Sequence, residues 1–247
     1  MNKMPQKTIK GVIHFHSHYS YDGHDRIQDI VAFLRNRGCS FVFLTEHDDD
    51  FTDLKMERFI EDCEAASSED FLVVPGIEFR CGNKVHILGL GLKNFFRCED
   101  PKKVAEKINE LEAKSIIAHP ERYADNVDYE LIKLVDGVEV WNGNKDSRFL
   151  INPSVLTLFI FWKKVNPKLV AVCGGDHHNL AHYFPLEVHV PNCELTFQNI
   201  WEGIASKGAL LSGKFFKLSV RNIRKNNLCV NAFWFLLENF RKIRRFF

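Results

Sequence analysis

The run His14-Phe15-His16-Ser17-His18-Tyr19-Ser20-Tyr21-Asp22-Gly23 carries residue types that hold a divalent cation: two imidazoles two positions apart and a carboxylate just beyond. The β-branched residues of Thr8-Ile9-Lys10-Gly11-Val12-Ile13 predict a strand leading into it. Side chains two apart on a strand share a face, so His14 and His16 would aim together. A His-x-His pair also arises by chance as two surface imidazoles at a strand end, so the rest of the chain has to answer it.

Four more apolar runs end in polar clusters. Phe41-Val42-Phe43-Leu44 leads to Thr45-Glu46-His47-Asp48, and Phe71-Leu72-Val73-Val74 leads to Gly76-Ile77-Glu78. Ser115-Ile116-Ile117 leads to Ala118-His119-Pro120, and Leu169-Val170-Ala171-Val172 leads to Gly175-Asp176-His177-His178. In a barrel of parallel strands all such ends open on one face, where the fold places its chemistry. Glu78 reads as a carboxylate able to bridge two cations, and Asp176 and His178 can turn back on the same ions as His14 and His16. His86 lies near the start of the next predicted strand, Lys84 to Gly91, where a satisfied core histidine is the competing reading. His177 reads as a residue outside the ligand set, supporting it or exposed. Pro120 stops its strand and turns Glu121-Arg122-Tyr123 across the mouth, where Arg122 would clamp phosphate through its planar fork. Glu121 would pair with it. Arg80, two residues past Glu78, is assigned to substrate with Arg122. The acidic Asp48, Asp49 and Asp50 read as a solvated loop or a helix cap rather than as ligands.

These residues, in this order, resemble the PHP (polymerase and histidinol phosphatase) metallophosphoesterases. The resemblance rests on His14-x-His16, Asp22, Thr45-Glu46-His47, Gly76-Ile77-Glu78, His86 in Val85-His86-Ile87-Leu88-Gly89, Ala118-His119-Pro120 and Gly175-Asp176-x-His178, and it covers roughly residues 8 to 190. The family's Asp-Leu-His opening reads Val12-Ile13-His14 here, a departure outside the ligand set. The stretch Ala118 to Tyr123 looks closest to the branch acting on small phosphoesters and nucleotides. The resemblance implies an α/β fold, a distorted (β/α)7 TIM-like barrel, with two to three divalent ions, manganese, iron or zinc, at its mouth. It implies one ion on His14, His16, Glu78 and Asp176, a second on Glu78, His86 and His119, and a third on Asp22, His47 and His178. Asp176, His178 and Arg122 are the residues it assigns to catalysis.

The elements between these clusters must position them. Helices are predicted from Asp25 to Gly38, Asp53 to Ala66, Asp100 to Lys114 and Thr196 to Lys207, from apolar residues at helical spacing. Val155 to Trp162 is apolar enough for a buried helix or a dimer contact. Asp136 to Gly143 and Leu186 to Val190 read as further strands, with Asn142 a cap or turn residue at the end of the first.

A 247-residue chain that is 45% hydrophobic can bury a full core as one domain, expected over 1–214. Residues 215–247 differ: Arg221, Arg224, Lys225, Arg241, Lys242, Arg244 and Arg245 mix with Phe233, Leu236, Leu237, Phe240, Ile243 and Phe247 at helical spacing. This basic, aromatic extension predicts a helix packed on the barrel, the other reading being contact with a membrane surface or a protein partner. A net charge of +1 argues against general nucleic-acid coating and a stable nucleic-acid complex. Seven cysteines without a Cys-x-x-Cys pair indicate neither a disulfide framework nor a thiolate zinc site, which fits the cytoplasm. No run approaches the roughly 20 apolar residues that span a bilayer.

The expected function is a hydrolase releasing phosphate from small metabolites or nucleotides. The alternatives are a 5′ to 3′ exonuclease on short oligonucleotides, a non-catalytic metal-stabilised interaction module, and a metal-dependent amidohydrolase or deaminase. The complete ligand set argues against the module. The catalytic lysine or carboxylate context of the amidohydrolases is not evident.

Overall fold

The computed structural model describes residues 8–206, 208–220 and 223. In chain order the strands are β1 (Thr8–Phe15), β2 (Phe41–Leu44), β3 (Glu46–His47), β4 (Leu72–Val74), β5 (Gly76–Arg80), β6 (His86–Leu90), β7 (Lys114–Ile117), β8 (Gly137–Asn142), β9 (Val170–Gly174), β10 (Leu186–Pro191), β11 (Leu210–Gly213) and β12 (Lys217–Ser219). The helices are α1 (Ile27–Arg35), α2 (Asp53–Ala66), α3 (Pro101–Glu110), α4 (Tyr129–Leu134), α5 (Pro153–Val165) and α6 (Phe197–Ala205). Helix starts follow the capping chemistry of the sequence. Thr52, Asp100, Asp128, Asn152 and Thr196 each accept a first-turn N–H, and Pro101 and Pro153 occupy first-turn positions where no N–H is needed. The cap of α2 is therefore Thr52 and not the acidic run before it.

The strands form two six-stranded mixed sheets, ordered β12-β11-β10-β1-β2-β4 and β3-β5-β6-β7-β8-β9. The expected closed (β/α)7 barrel is not what the chain builds. A parallel pair needs a crossover of a dozen or more residues, whereas β5 returns into β6 through the short turn Gly82–Lys84, and the pair is antiparallel. β6 also runs antiparallel to β7, and β10 is antiparallel to both β1 and β11. Parallel pairs of strands are β1/β2, β2/β4, β3/β5, β7/β8 and β8/β9, with a single parallel bridge between Phe15 and His177 besides.

The chain crosses between sheets at two interruptions. Thr45 separates β2 from β3 and gives its N–H to Phe15 O at 2.9 Å. Pro75 separates β4 from β5 and has no N–H for a ladder. At the far edge the segment after β9 runs beside the end of β1, with Gly175 N–H on Ile13 O at 3.0 Å and His16 N–H on His177 O at 2.8 Å. The C-terminal ends of β1, β3, β7 and β9 are thereby drawn to one place.

Packing explains why these runs are so apolar. Phe15, Phe41, Phe43, Phe51, Phe59, Phe71, Phe79, Trp141 and Phe159 are all among the largest fully buried side chains. α5 buries Val155, Leu156, Phe159 and Trp162, as a core helix does, and leaves Phe161 exposed. The domain boundary expected at residue 214 falls between β11 and β12, so the first part of the extension is a strand of the first sheet. The helix read over Phe233 to Phe247 lies outside the described residues. Among the described residues no helix is long and apolar enough to cross a membrane.

Gly11 allows β1 and β2 to approach: a Cβ there would stand 2.3 Å from the Phe41 ring and 2.4 Å from Phe41 O. Backbone cannot retreat as a flexible side chain can. Gly11→Ala is expected to destabilise the fold by about 1–3 kcal/mol, measured as a lower urea midpoint with unchanged slope.

Candidate metal centre

All nine residues proposed as ligands converge. His14 and His16 come from the end of β1, Asp22 from the loop beyond, His47 from β3, Glu78 from the middle of β5 and His86 from the first position of β6. His119 follows β7, and Asp176 and His178 follow β9. Glu78 is the common point. Its Oε1 lies 2.7 Å from His86 Nδ1 and 3.0 Å from His119 Nε2. Its Oε2 lies 3.4 Å from His14 Nε2, 3.3 Å from His16 Nε2 and 3.2 Å from His47 Nδ1. Asp176 Oδ1 closes the first pair, 3.6 Å from both His14 and His16 Nε2. Asp22 stands apart with His47 and His178, its oxygens 3.4 Å from the Nε2 of each.

Simple strand alternation does not aim His14. It takes φ of 63°, and the β1/β2 register shifts between Ile13 and Phe15. His119 (φ 29°) and Asp176 (φ 51°) share that left-handed backbone, which costs a non-glycine residue of order 1–3 kcal/mol unless its surroundings enforce it. One enforcing residue is Glu139, fully buried in β8. It accepts from His14 Nδ1 at 2.7 Å, from the His119 backbone N–H at 2.8 Å and from Asn142 Nδ2 at 2.9 Å. With its Nδ1 proton directed at Glu139, His14 presents a free Nε2 to the centre. Room for this carboxylate depends on Gly174, where a Cβ would lie only 1.7 Å from Glu139 Oε1.

A second support is Glu46, also fully buried. It accepts from Ser17 N–H at 2.9 Å, Ser17 Oγ at 2.6 Å and Ser20 Oγ at 2.5 Å. Ser20 Oγ in turn meets His16 Nδ1 at 3.2 Å and the His47 N–H at 3.0 Å. Sequence reasoning missed both glutamates. The available signal was a charge inside an apolar strand, as in Gly137-Val138-Glu139-Val140. It also missed Lys145, whose Nζ is 3.4 Å from Asp176 Oδ2. Lys145 is placed by Asn142, whose Oδ1 accepts its backbone N–H at 2.8 Å, the turn role expected for that asparagine.

His177 is buried rather than exposed, and rests against Phe15, Tyr183 and Phe184. Burial pushes its pKa down to about 3, which keeps it neutral. Glu121 does not pair with Arg122; it accepts from Asn152 Nδ2. Arg122 is exposed on the wall of a cavity of about 560 Å³ that opens onto the cluster, with Lys84 beside it. Arg80 lines the same cavity, but Asp49 Oδ2 holds its Nη1 at 3.0 Å and Tyr21 accepts from its Nη2 at 2.5 Å. Asp48 is buried and accepts the Arg80 backbone N–H at 3.2 Å, so the acidic run is partly structural.

Burial opposes charge on His14, His16, Glu78 and Asp176, and mutual contact overrides it. Burial resists protonation of His14, yet Glu139, Glu78 and Asp176 hold its pKa well above the ordinary histidine value. His16 is raised to about 9 against the same resistance by Asp176 and Glu78. Glu78 and Asp176 stay well below the carboxylate range despite burial, held there by His14 and the other imidazoles around them. Burial and the neighbouring His16 push His178 down to about 4.

The donors fit divalent cations. His16 Nε2, Asp22 Oδ1, His47 Nδ1, His119 Nδ1 and Asp176 Oδ2 are buried without a hydrogen-bond partner, although some sit within ion-pair range of a carboxylate. Buried polar atoms are rarely left so. Four triads place their ligating atoms within 4.8 Å of one another: His14-His16-Glu78, Glu78-His86-His119, His14-His119-Asp176 and His16-His47-His178. The set is nitrogen and oxygen without thiolate, which suits manganese, iron or zinc.

Several solved structures share this fold. One is a two-domain protein from Bacteroides vulgatus ATCC 8482, described as containing a predicted PHP-like metal-dependent phosphoesterase (TM-score 0.65, 19% identity, 84% of this chain and 65% of that one). The present chain thus spans just under two thirds of that protein. PsfC from Pseudomonas syringae PB-5123 matches with a TM-score of 0.61 at 15% identity over 92% of this chain and 99% of its own. An amidohydrolase from Chromobacterium violaceum, solved with bound sulfate, has a TM-score of 0.50 at 16% identity over 68% of this chain and 87% of its own. A comparison with curated proteins finds no match. A sequence model of the PHP domain matches residues 13–159, from the first histidines to the helix after Glu139. That match covers more than half of the chain and stops before Asp176 and His178, which the fold returns to the same cluster; the chain belongs to the PHP domain family.

Proposed function

We propose that this PHP-family protein is a metal-dependent hydrolase that cleaves phosphomonoesters of a small metabolite or nucleotide. The observation that carries the reading is the position of the buried Glu78, whose two oxygens face different histidine sets. His14, His16, Glu78 and Asp176 would hold one divalent ion, and Glu78, His86 and His119 a second. Asp22, His47 and His178 would hold a third, at the more open side of the cluster. When bound, such ions supply an acidified water as nucleophile and neutralise charge on phosphate oxygens.

The remaining chemistry belongs to the chain. Glu139 fixes the orientation of His14 and the backbone of His119. Glu46 does the same for His16 and His47 through Ser20. Arg122 and Lys84 have no ion pair among the described residues and line the cavity, so they are free to bind phosphate oxygens. Lys145 faces the cavity from the Asp176 side and adds a third cation. Arg80 contributes charge at the mouth while Asp49 and Tyr21 hold it in place.

Elemental analysis of the purified protein should find two to three equivalents of manganese, iron or zinc per chain. Chelation should abolish phosphate release, and the metal should restore it. Asp176→Asn should lower kcat by at least about 10³-fold, as expected when a group essential to the reaction is lost, with an unchanged circular dichroism spectrum. Turnover by the variant or by metal-free protein would refute the mechanism, and release from oligonucleotide ends alone would replace the monoester reading with the exonuclease. Glu139→Gln should weaken metal affinity by about 10–100-fold while leaving the ligands in place, the usual effect of losing a carboxylate behind a ligating histidine; titration of metal-free protein with zinc reads it.

A further inference from the structure

Two cavities meet at Asp176 and His178. The larger is the one described above; the other, of about 210 Å³, lies on the far side of the same two residues, against His177 and Arg148. We propose that this second cavity holds a second anionic group of the substrate, so that the preferred phosphomonoester carries another phosphate or a carboxylate. The inference rests on the phosphoesterase reading and adds the class of substrate to it.

Charge is the first argument. Among the described residues, only Arg58, Arg122 and Arg148 of the arginines lack a side-chain hydrogen bond or ion pair; the others are committed to Asp29, Asp70, Asp49 or backbone carbonyls. Arg122 lines the first cavity and Arg148 the second, while Arg58 lies on α2 away from both. Asp176 is the only carboxylate lining the second cavity, and its oxygens face His14, His16 and Lys145. His24 and His182 complete a wall with no other acid in it.

Geometry is the second. The Arg148 guanidinium lies over the Phe184 ring, 4.9 Å from its centroid. With no side-chain hydrogen bond or ion pair among the described residues, the guanidinium keeps its N–H groups available to pair with an oxyanion. His177, 3% exposed, lines this cavity, and its Nε2 has no hydrogen-bond partner. Such a nitrogen is costly to leave unmatched. The imidazole fits because residue 175 is glycine: a Cβ there would meet His177 Nε2 at 2.3 Å.

Spacing is the third. Asp176, His177, His178, Asn179, His182 and Phe184 of the second cavity belong to the segment after β9 that carries two proposed metal ligands, while His24, Asn144 and Arg148 reach it from other loops. His24 N–H bonds to His178 O at 3.0 Å, and Asp25 Oδ2 accepts Leu180 N–H at 2.7 Å. Arg148 is placed beside this segment by its contact with Phe184, which puts an anion held on it next to the ligand cluster.

The test uses the full chain loaded with manganese and compares glycerol phosphate, glycerol bisphosphate and phosphoglycolate. The expected result is a kcat/KM at least about tenfold higher for a doubly anionic substrate, the scale of one charge-assisted hydrogen bond. Preference for glycerol bisphosphate alone would identify the second group as phosphate, and equal preference for phosphoglycolate would extend it to carboxylate. Arg148→Met should bring the ratio of doubly to singly anionic substrates toward one, and Arg148→Lys should recover part of it. Equal rates on all three compounds, or a preference untouched by Arg148→Met, would overturn the proposal while leaving the phosphoesterase standing. Should no compound release phosphate, calorimetric titration of the same protein decides separately. Tenfold tighter binding of the bisphosphate that is lost in Arg148→Met would uphold the second cavity, and equal affinities would overturn it.

Discussion

A carboxylate with almost no exposure, such as Glu78, stays ionised only if opposite charge or hydrogen-bond donors surround it closely, because removing an ion from water costs several kcal/mol even after relaxation. Here five imidazoles stand within 3.4 Å of its two oxygens. Asp176 adds a further buried carboxylate at the same Nε2 of His14, and Glu139 meets the Nδ1 on its other side. A cluster of this composition has no stable state as an ordinary core. It is compensated by protons on the imidazoles or by cations between the rings and the carboxylates. The rest of the architecture serves that compensation.

The two sheets show how. Apart from β5, which carries Glu78 at its middle position, the contributing strands begin or end at the centre. Thr45 and Pro75 interrupt two strands just before His47 and Glu78, and the left-handed residues His14, His119 and Asp176 turn three more chain segments inward. A regular strand would bury alternate side chains in separate layers, whereas these breaks let neighbouring side chains meet. Their strain is held by a few fully buried hydrogen bonds, chiefly those of Glu139, which ties the tautomer of one ligand to the backbone of another. Loss of that carboxylate would loosen two ligands at once without removing either.

Most of the ligands were legible in the sequence because they follow short apolar runs, which identify strand ends whichever way the strands pair, while Asp22 in its loop and His86 at the start of a strand were assigned through the family resemblance. Direction is what the runs do not encode. Val85-His86-Ile87-Leu88-Gly89 has the same alternation in a parallel or an antiparallel partner, and the reversal depends on the Gly82–Lys84 turn, where Asn83 and Lys84 take positive φ. A barrel was therefore read where two mixed sheets exist. Glu139 was missed for a related reason. A glutamate between two valines is the pattern of a half-exposed strand, whereas every residue of β8 is buried, on both faces of the strand. His177 looked like a spacer between ligands because its burial comes from Phe184 and Tyr183, residues that no spacing rule connects to it.

Specificity depends on a different feature, the positive charge left uncommitted around a negative centre. Most arginines of the fold are fixed by aspartates or by carbonyls, and Arg80, although at the mouth, is among them. Those left without partners at the site stand on opposite sides of Asp176 and His178, so the ligand loop after β9 is also the partition between two anion-attracting spaces. Cations bound at the centre would neutralise the carboxylates and leave Arg122, Lys84 and Arg148 as net positive charge on either side. A substrate with a single anionic group would satisfy one side only. The electrostatic field of the loaded site is thus better matched by an elongated anion that passes over the partition than by a compact one.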